Sequence, residues 1–181
     1  MTLTQILSEA LVQLNLETDA QNAKAYKKKH TLYANEGAQD LALYLKLRRT
    51  DQLTLTSGAL DLSALPRQCI RVLSVARGGT EYEFYYGAAS GTIQVPYLTD
   101  GAVDVTYRYA PNDMTSDSDE PDIPKYLHKL LPTYIAGREH TTDDPTQQSR
   151  AKAYFELYEA GRRRARTNAG ETDAFRIVNK F

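Results

Sequence analysis

The chain predicts an α+β fold: mainly a helical bundle, two N-terminal helices plus a C-terminal helical hairpin, with an inserted antiparallel β meander. Three observations predict it. Apolar residues recur at helical spacing at both ends of the 181 residues. The period shortens to two between Asp51 and Pro111, and an acidic, proline-bounded stretch separates that segment from the helices after it. The implied organisation is a helical core over residues 1–50 and 121–168 and a β subdomain over 51–111. An acidic linker covers 112–120 and a docking tail 169–181.

Each element has a local cause. Thr2 and Gln5 make a capping box, so a helix starts at Leu3. Leu3, Ile6, Leu7, Ala10, Leu11 and Leu14 then share one face, and the helix ends near Asn15. A long helix follows Asp19, with Tyr26, His30, Tyr33, Gly37, Leu41, Tyr44 and Arg48 in steps of three or four. Lys27, Lys28 and Lys29 go round its exposed side. Gly37 weakens such a helix by about 1 kcal/mol relative to alanine, which points to close packing there.

In the β segment, Leu53 and Leu55 alternate with threonines up to a turn at Ser57-Gly58. Ile70, Val72 and Ser74 share one face of the next strand, and Arg71, Leu73 and Val75 the other. Arg77-Gly78-Gly79 signals a hairpin, after which Tyr82, Phe84 and Tyr86 alternate with Glu81, Glu83 and Tyr85. Ile93, Val95 and Tyr97 form a further strand. Asp100-Gly101 reads as a hairpin turn, and Val103, Val105, Tyr107 and Tyr109 face inward along the last strand.

The linker holds five carboxylates between Asp113 and Pro124. Their repulsion and the prolines predict an extended chain until Pro124, where a helix begins behind Asp122 as cap. Leu127, Leu130, Leu131, Tyr134 and Ile135 form its buried face, and Pro132 inside that pattern predicts a kink. Asp144-Pro145-Thr146-Gln147 starts the final helix, with Ala151, Tyr154, Phe155, Tyr158 and Ala165 as its apolar face. Asn168 and Gly170 stop it.

Composition narrows the function classes. With 41% hydrophobic residues, 25% charged and a net charge of −1, no basic excess argues for nucleic acid or an anionic membrane as the main partner. No apolar run approaches the roughly 20 residues that span a bilayer. The first residues lack the basic start and apolar stretch of a signal peptide. The single cysteine, Cys69, leaves no internal disulfide and suits synthesis in a reducing cytoplasm. Thirteen tyrosines beside four phenylalanines and no tryptophan favour half-buried positions at subunit contacts.

Catalytic constellations are thin, so no enzyme, cofactor or metal is expected. His30, His128 and His140 are far apart and lack zinc-ligand spacing. His30 lies in an apolar stripe and His128 beside Lys129 on a helical surface that reads as solvated. Ser90 sits one place late for a nucleophile elbow. Glu81 and Glu83 read as the wet face of a sheet, and the acidic linker lacks the glycine and final glutamate of a calcium loop. Arg162, Arg163, Arg164 and Arg166 form the one dense basic patch. At a helix C-terminus each contributes roughly 0.3–1 kcal/mol against the helix dipole. The readings beyond that are an electrostatic contact to an acidic protein partner, or DNA. The tail from Asp173 to Phe181 puts Phe175, Ile177 and Phe181 on one apolar face of a strand-like segment that reads as a hook for another polypeptide.

The order of elements resembles the head–tail adaptor (connector) proteins of tailed bacteriophages. The segments that carry the resemblance are Ser57-Gly58 to Leu65-Pro66 before the Ile70–Val75 strand, the run from Asp119 to Leu131, and Ala151 to Tyr158. The resemblance implies a virion structural protein at the neck, made in the host bacterial cytoplasm. It would be a homo-oligomeric ring, often of twelve copies, beneath the portal protein. Such a ring extends the channel through which genomic DNA passes during packaging and ejection, without sequence-specific binding or a membrane. It also offers a platform to tail or neck proteins. On that reading Phe175, Arg176, Ile177, Val178 and Phe181 dock on the portal. Arg162, Arg163, Arg164 and Arg166 contact an acidic neighbour, and Tyr82, Phe84, Tyr85 and Tyr86 make tail-side or inter-subunit contacts. The alternatives from other classes are a DNA-binding accessory protein using the arginine helix, and a small hydrolase for which no residue stands out.

Overall fold

The computed structural model describes residues 1–87, 89–141 and 144–168. Over these residues the fold is α+β, with four α-helices, a four-stranded antiparallel sheet, a small three-stranded sheet and a C-terminal helical hairpin. It divides into two compact units. One comprises Met1–Leu41 and the described residues between Asp113 and Asn168, the other Ala42–Asn112. The boundary therefore falls at residue 41 rather than after 50, and the acidic segment belongs to the helical unit rather than standing between units.

Helix α1 (Leu3–Gln13) begins with the expected capping box and buries Leu3, Ile6, Ala10 and Leu11. Asn15 adopts φ 56°, and the Leu16 and Asn15 amides bond to the Leu11 and Val12 carbonyls, a Schellman stop. Helix α2 (Ala20–Tyr44) is about 37 Å long. Asp19 caps it through the Asn22 amide at 2.7 Å. Its buried residues include His30, Ala34, Gly37, Ala38 and Leu41, so the inward stripe runs through small side chains more than through tyrosines. Arg48 is not on this helix: Lys46 at φ 52° ends it with a second Schellman motif, Leu47 and Lys46 bonding to Ala42 and Leu43. A Cβ on Gly37 would lie 3.0 Å from the Tyr134 ring and 3.1 Å from Leu131, which gives the anticipated close approach its cause.

The segment from Asp113 to Pro124 is not a free, extended linker. The Asp119 and Asp117 carbonyls accept from the Leu3 and Thr4 amides at 2.8 and 3.2 Å, which gives the first turn of α1 partners for donors that the helix itself cannot satisfy. The Asn35 carboxamide donates to the Met114 carbonyl at 3.1 Å and accepts from the Met114 amide at 2.9 Å, pairing with this strap as a strand neighbour would. The Asp119 carboxylate accepts from the Thr115 and Ser116 amides at 2.8 and 2.7 Å, and these bonds hold its carboxyl below the usual range. Met114 and Ile123 are buried pegs. Charge repulsion along the segment is outweighed because its backbone has specific partners.

After the strap, Lys125–Leu130 forms a 3₁₀ turn, and α3 (Leu131–Glu139) starts with Pro132 in its first turn. The expected helix from Pro124 with a kink at Pro132 is thus two elements. Proline sits where its missing N–H has no helical partner to lose, and the cap position of the 3₁₀ turn is Pro124 rather than Asp122. Helix α4 (Pro145–Asn168) packs along α3, with Phe155 over Gly137 and Leu130 over Gly161.

In the β unit, β1 (Arg48–Leu55), β3 (Gln68–Arg77), β4 (Thr80–Tyr82) and β7 (Gly101–Ala110) form one sheet in the order β1-β7-β3-β4. The strands β2 (Ala59–Asp61), β6 (Thr92–Gln94) and β5 (Tyr85–Tyr86) form the other, in the order β2-β6-β5. The core between them includes Leu53, Leu55, Leu60, Val72, Val75, Ile93, Val95, Val103, Val105 and Tyr107. Val103, Val105 and Tyr107 face inward as their alternation predicts.

Strand β3 departs from its pattern. Register shifts at Cys69/Arg71 and Val72/Ser74 insert two bulges, each of which reverses the alternation. Val72 and Val75 are therefore both buried although three apart, and Ile70 is exposed. The Tyr86 hydroxyl accepts from the Val72 amide at 3.3 Å, beside the second bulge. Strands β6 and β7 lie in different sheets, so Asp100-Gly101 makes a crossing rather than a hairpin, and only Gly101 has positive φ there (110°).

Candidate interaction surfaces

The four clustered arginines near the C-terminal end of α4 do different jobs. Arg162 is directed inward: Nη1 donates to Asp40 Oδ2 at 2.7 Å, while Nε and Nη2 grip both Glu159 oxygens at 3.0 and 2.5 Å. Buried Tyr158 donates to the same Asp40 oxygen at 2.7 Å. Burial, reinforced by that carboxylate, raises its phenol far above the usual range. Asp40 thus joins α2 to α4 through two donors, and Arg162 is a structural tie. Arg163, Arg164 and Arg166 are exposed, so the surface available to a partner from this cluster is theirs.

The predicted Tyr82–Tyr86 strand is broken. Tyr82 ends β4 and Tyr85 begins β5 in the other sheet, with Glu83 and Phe84 bridging them. Tyr82 and Phe84 pack against the β core. Tyr85 and Tyr86 are 58% and 62% exposed, and Tyr97 is 74% exposed. This leaves Tyr85 and Tyr86 as the outward part of that nomination. Phe175, Arg176, Ile177, Val178 and Phe181 lie outside the described residues.

Both buried histidines belong to the helical unit. His128 is not on a solvated surface: it is 1% exposed, accepts from the Met1 amino group at Nδ1 (2.9 Å) and donates from Nε2 to the Ile123 carbonyl (3.1 Å). The helical pattern hid this because the residue sits in a 3₁₀ turn with three residues per turn. His30 is equally buried, stacks on Tyr26 and places Nε2 3.3 Å from Glu139 Oε2, without hydrogen-bond geometry. Lys29 holds the other Glu139 oxygen at 2.9 Å, and Arg138 pairs with Glu36 at 3.1 Å. Burial pushes both imidazoles below their ordinary value of 6.5, against the pull of Glu139 on His30 and of the Ile123 carbonyl on His128.

A pH dependence follows with a definite sign. The unfolded chain takes up protons at these histidines near pH 6.5, before the folded chain does. Their contribution to stability is complete above that value and declines as pH falls below it. Thermal midpoints measured from pH 7.5 to 5.5 are expected to drop for the wild type. A His30→Gln/His128→Gln variant is expected to show a flatter profile, and equal slopes would refute the assignment.

Among the described residues, no group of three or more histidine, cysteine, aspartate or glutamate side chains is placed to hold a metal ion. Among the same residues, no helix is long and apolar enough to cross a membrane. Comparison with protein-family models and with curated proteins finds no match to either.

Proposed function

We propose that this chain is a virion structural protein, a head–tail adaptor that forms a ring below the portal of a tailed bacteriophage. The observation that carries the reading is the order of its parts. A helix pair, an inserted antiparallel β unit, an acidic strap and a helical hairpin follow one another as in the adaptors that the sequence resembles. The exposed rings of Tyr85, Tyr86 and Tyr97 add to it, since tyrosine suits surfaces that are covered only on assembly. In this role the ring extends the DNA channel, and residues 173–181 anchor each copy to the portal. The main-chain hydrogen bonds of an added strand supply affinity, and pockets for Phe175, Ile177 and Phe181 supply specificity.

The test is truncation. A chain lacking residues 173–181 is expected to keep the circular dichroism spectrum of the full chain and to lose cosedimentation with portal rings. Unchanged portal binding would overturn the anchor. The DNA-binding alternative is favoured by the exposure of Arg163, Arg164 and Arg166 and disfavoured by the internal engagement of Arg162. It predicts a steep loss of duplex binding with added salt.

A further inference from the structure

The helical unit carries a partly enclosed groove of about 390 Å³ between α1 and α2. Leu7, Leu11 and Tyr26 supply apolar wall, and buried His30 lines it as well. Its charged lining is Lys24, Lys27 and Asp117; Lys27 pairs with Asp117 at 2.7 Å, which leaves the groove net positive. Ligand sites run from roughly 300 to 1,000 Å³, so this groove lies near the bottom of the range and suits one aromatic side chain better than an extended ligand.

The β unit offers the converse. Between β4 and β5 the chain presents exposed Tyr85 beside Glu81 and Glu83, with the Tyr85 hydroxyl 3.5 Å from Glu83. These side chains, with Tyr82 and Phe84, line a shallow open depression. One surface of this chain is thus an apolar groove with a net positive lining, and another is an exposed tyrosine beside two glutamates.

We propose that the Glu81–Tyr86 tip of one copy seats in the α1–α2 groove of a second copy, with Tyr85 entering the groove and Glu81 and Glu83 meeting Lys24 and its neighbours. The inference rests on the reading of the chain as an assembling subunit and names the contact. Tyrosine is among the residues that dominate such interfaces, and opposed charges fix the register. Each copy gives one Tyr85 and receives another, so the contact is head-to-tail and propagates into a closed ring or an open filament.

Such a contact has a distinctive test by mixing full-length chains. The tip variant is Glu83→Lys/Tyr85→Ser and the groove variant is Ser8→Trp/Lys24→Glu; Ser8 is exposed and lines the groove, so tryptophan there fills it without entering the core. In sedimentation equilibrium the wild type is expected to grow in mass with concentration. Each variant alone is expected to stay monomeric, self-associating at least about tenfold more weakly. The equimolar mixture is expected to give dimers and nothing larger, because it restores one intact contact per pair and shows that both variants fold. A wild type monomeric at every concentration, variants that assemble as the wild type does, or a mixture that stays monomeric would each overturn the inference. Portal cosedimentation of the same variants separates this result from the adaptor reading: binding that survives in the monomeric variants leaves that reading in place.

Discussion

Replacing Asn35 by leucine is expected to destabilise the helical unit by about 2–5 kcal/mol, because the Met114 amide and carbonyl both lose their partner where water does not readily replace it. The size of the effect follows from the position of the bond. Asn35 ties α2 to a strap whose next residues supply the carbonyls at the start of α1, so one side chain holds three segments in register. Asn35→Asp keeps the acceptor and loses the donor, and an intermediate loss is expected. Urea denaturation monitored by circular dichroism measures both. A leucine variant within about 0.5 kcal/mol of the wild type, the range of an ordinary surface substitution, would show that the strap carries no load.

Leu131→Ala is expected to cost about 2–5 kcal/mol through the cavity it opens, since Leu131 is fully buried against α2. The neighbour makes the prediction sharper. Gly37→Ala in the wild type forces a methyl against Leu131 and the Tyr134 ring, and overpacking of about 1–3 kcal/mol outweighs the roughly 1 kcal/mol gain in helix propensity. In the Leu131→Ala background one of those two obstacles is gone. The same Gly37→Ala change is then expected to be neutral or stabilising, and strict additivity of the two substitutions in denaturation would contradict the packing described.

How far the sequence could be read differs by element for physical reasons. The Thr2/Gln5 capping box, the alternation from Val103 to Tyr107 and the close packing at Gly37 depend on residues within a turn or on one regular period, and all were legible. The bulges in β3 were not, because alternation assumes an unbroken pleat and nothing in Gln68–Arg77 marks where an extra residue enters. The order of the strap is hidden from the sequence for a different reason. Its acidic residues report local repulsion, whereas its order comes from Asn35 and from the amides of Leu3 and Thr4, far away in the chain. The same holds for Arg162, whose partner Asp40 lies on another helix. In the tip, the Tyr82–Tyr86 alternation was visible, but the change of sheet after Tyr82 was not. That change is what turns Tyr85 outward beside two glutamates.

The most direct test of the central claim is electron microscopy of the full-length protein mixed with purified portal rings. The account predicts a closed ring of copies in mutual contact beneath the portal, coaxial with its channel. Portal particles with no added density, beside copies that touch neither the portal nor one another, would contradict it.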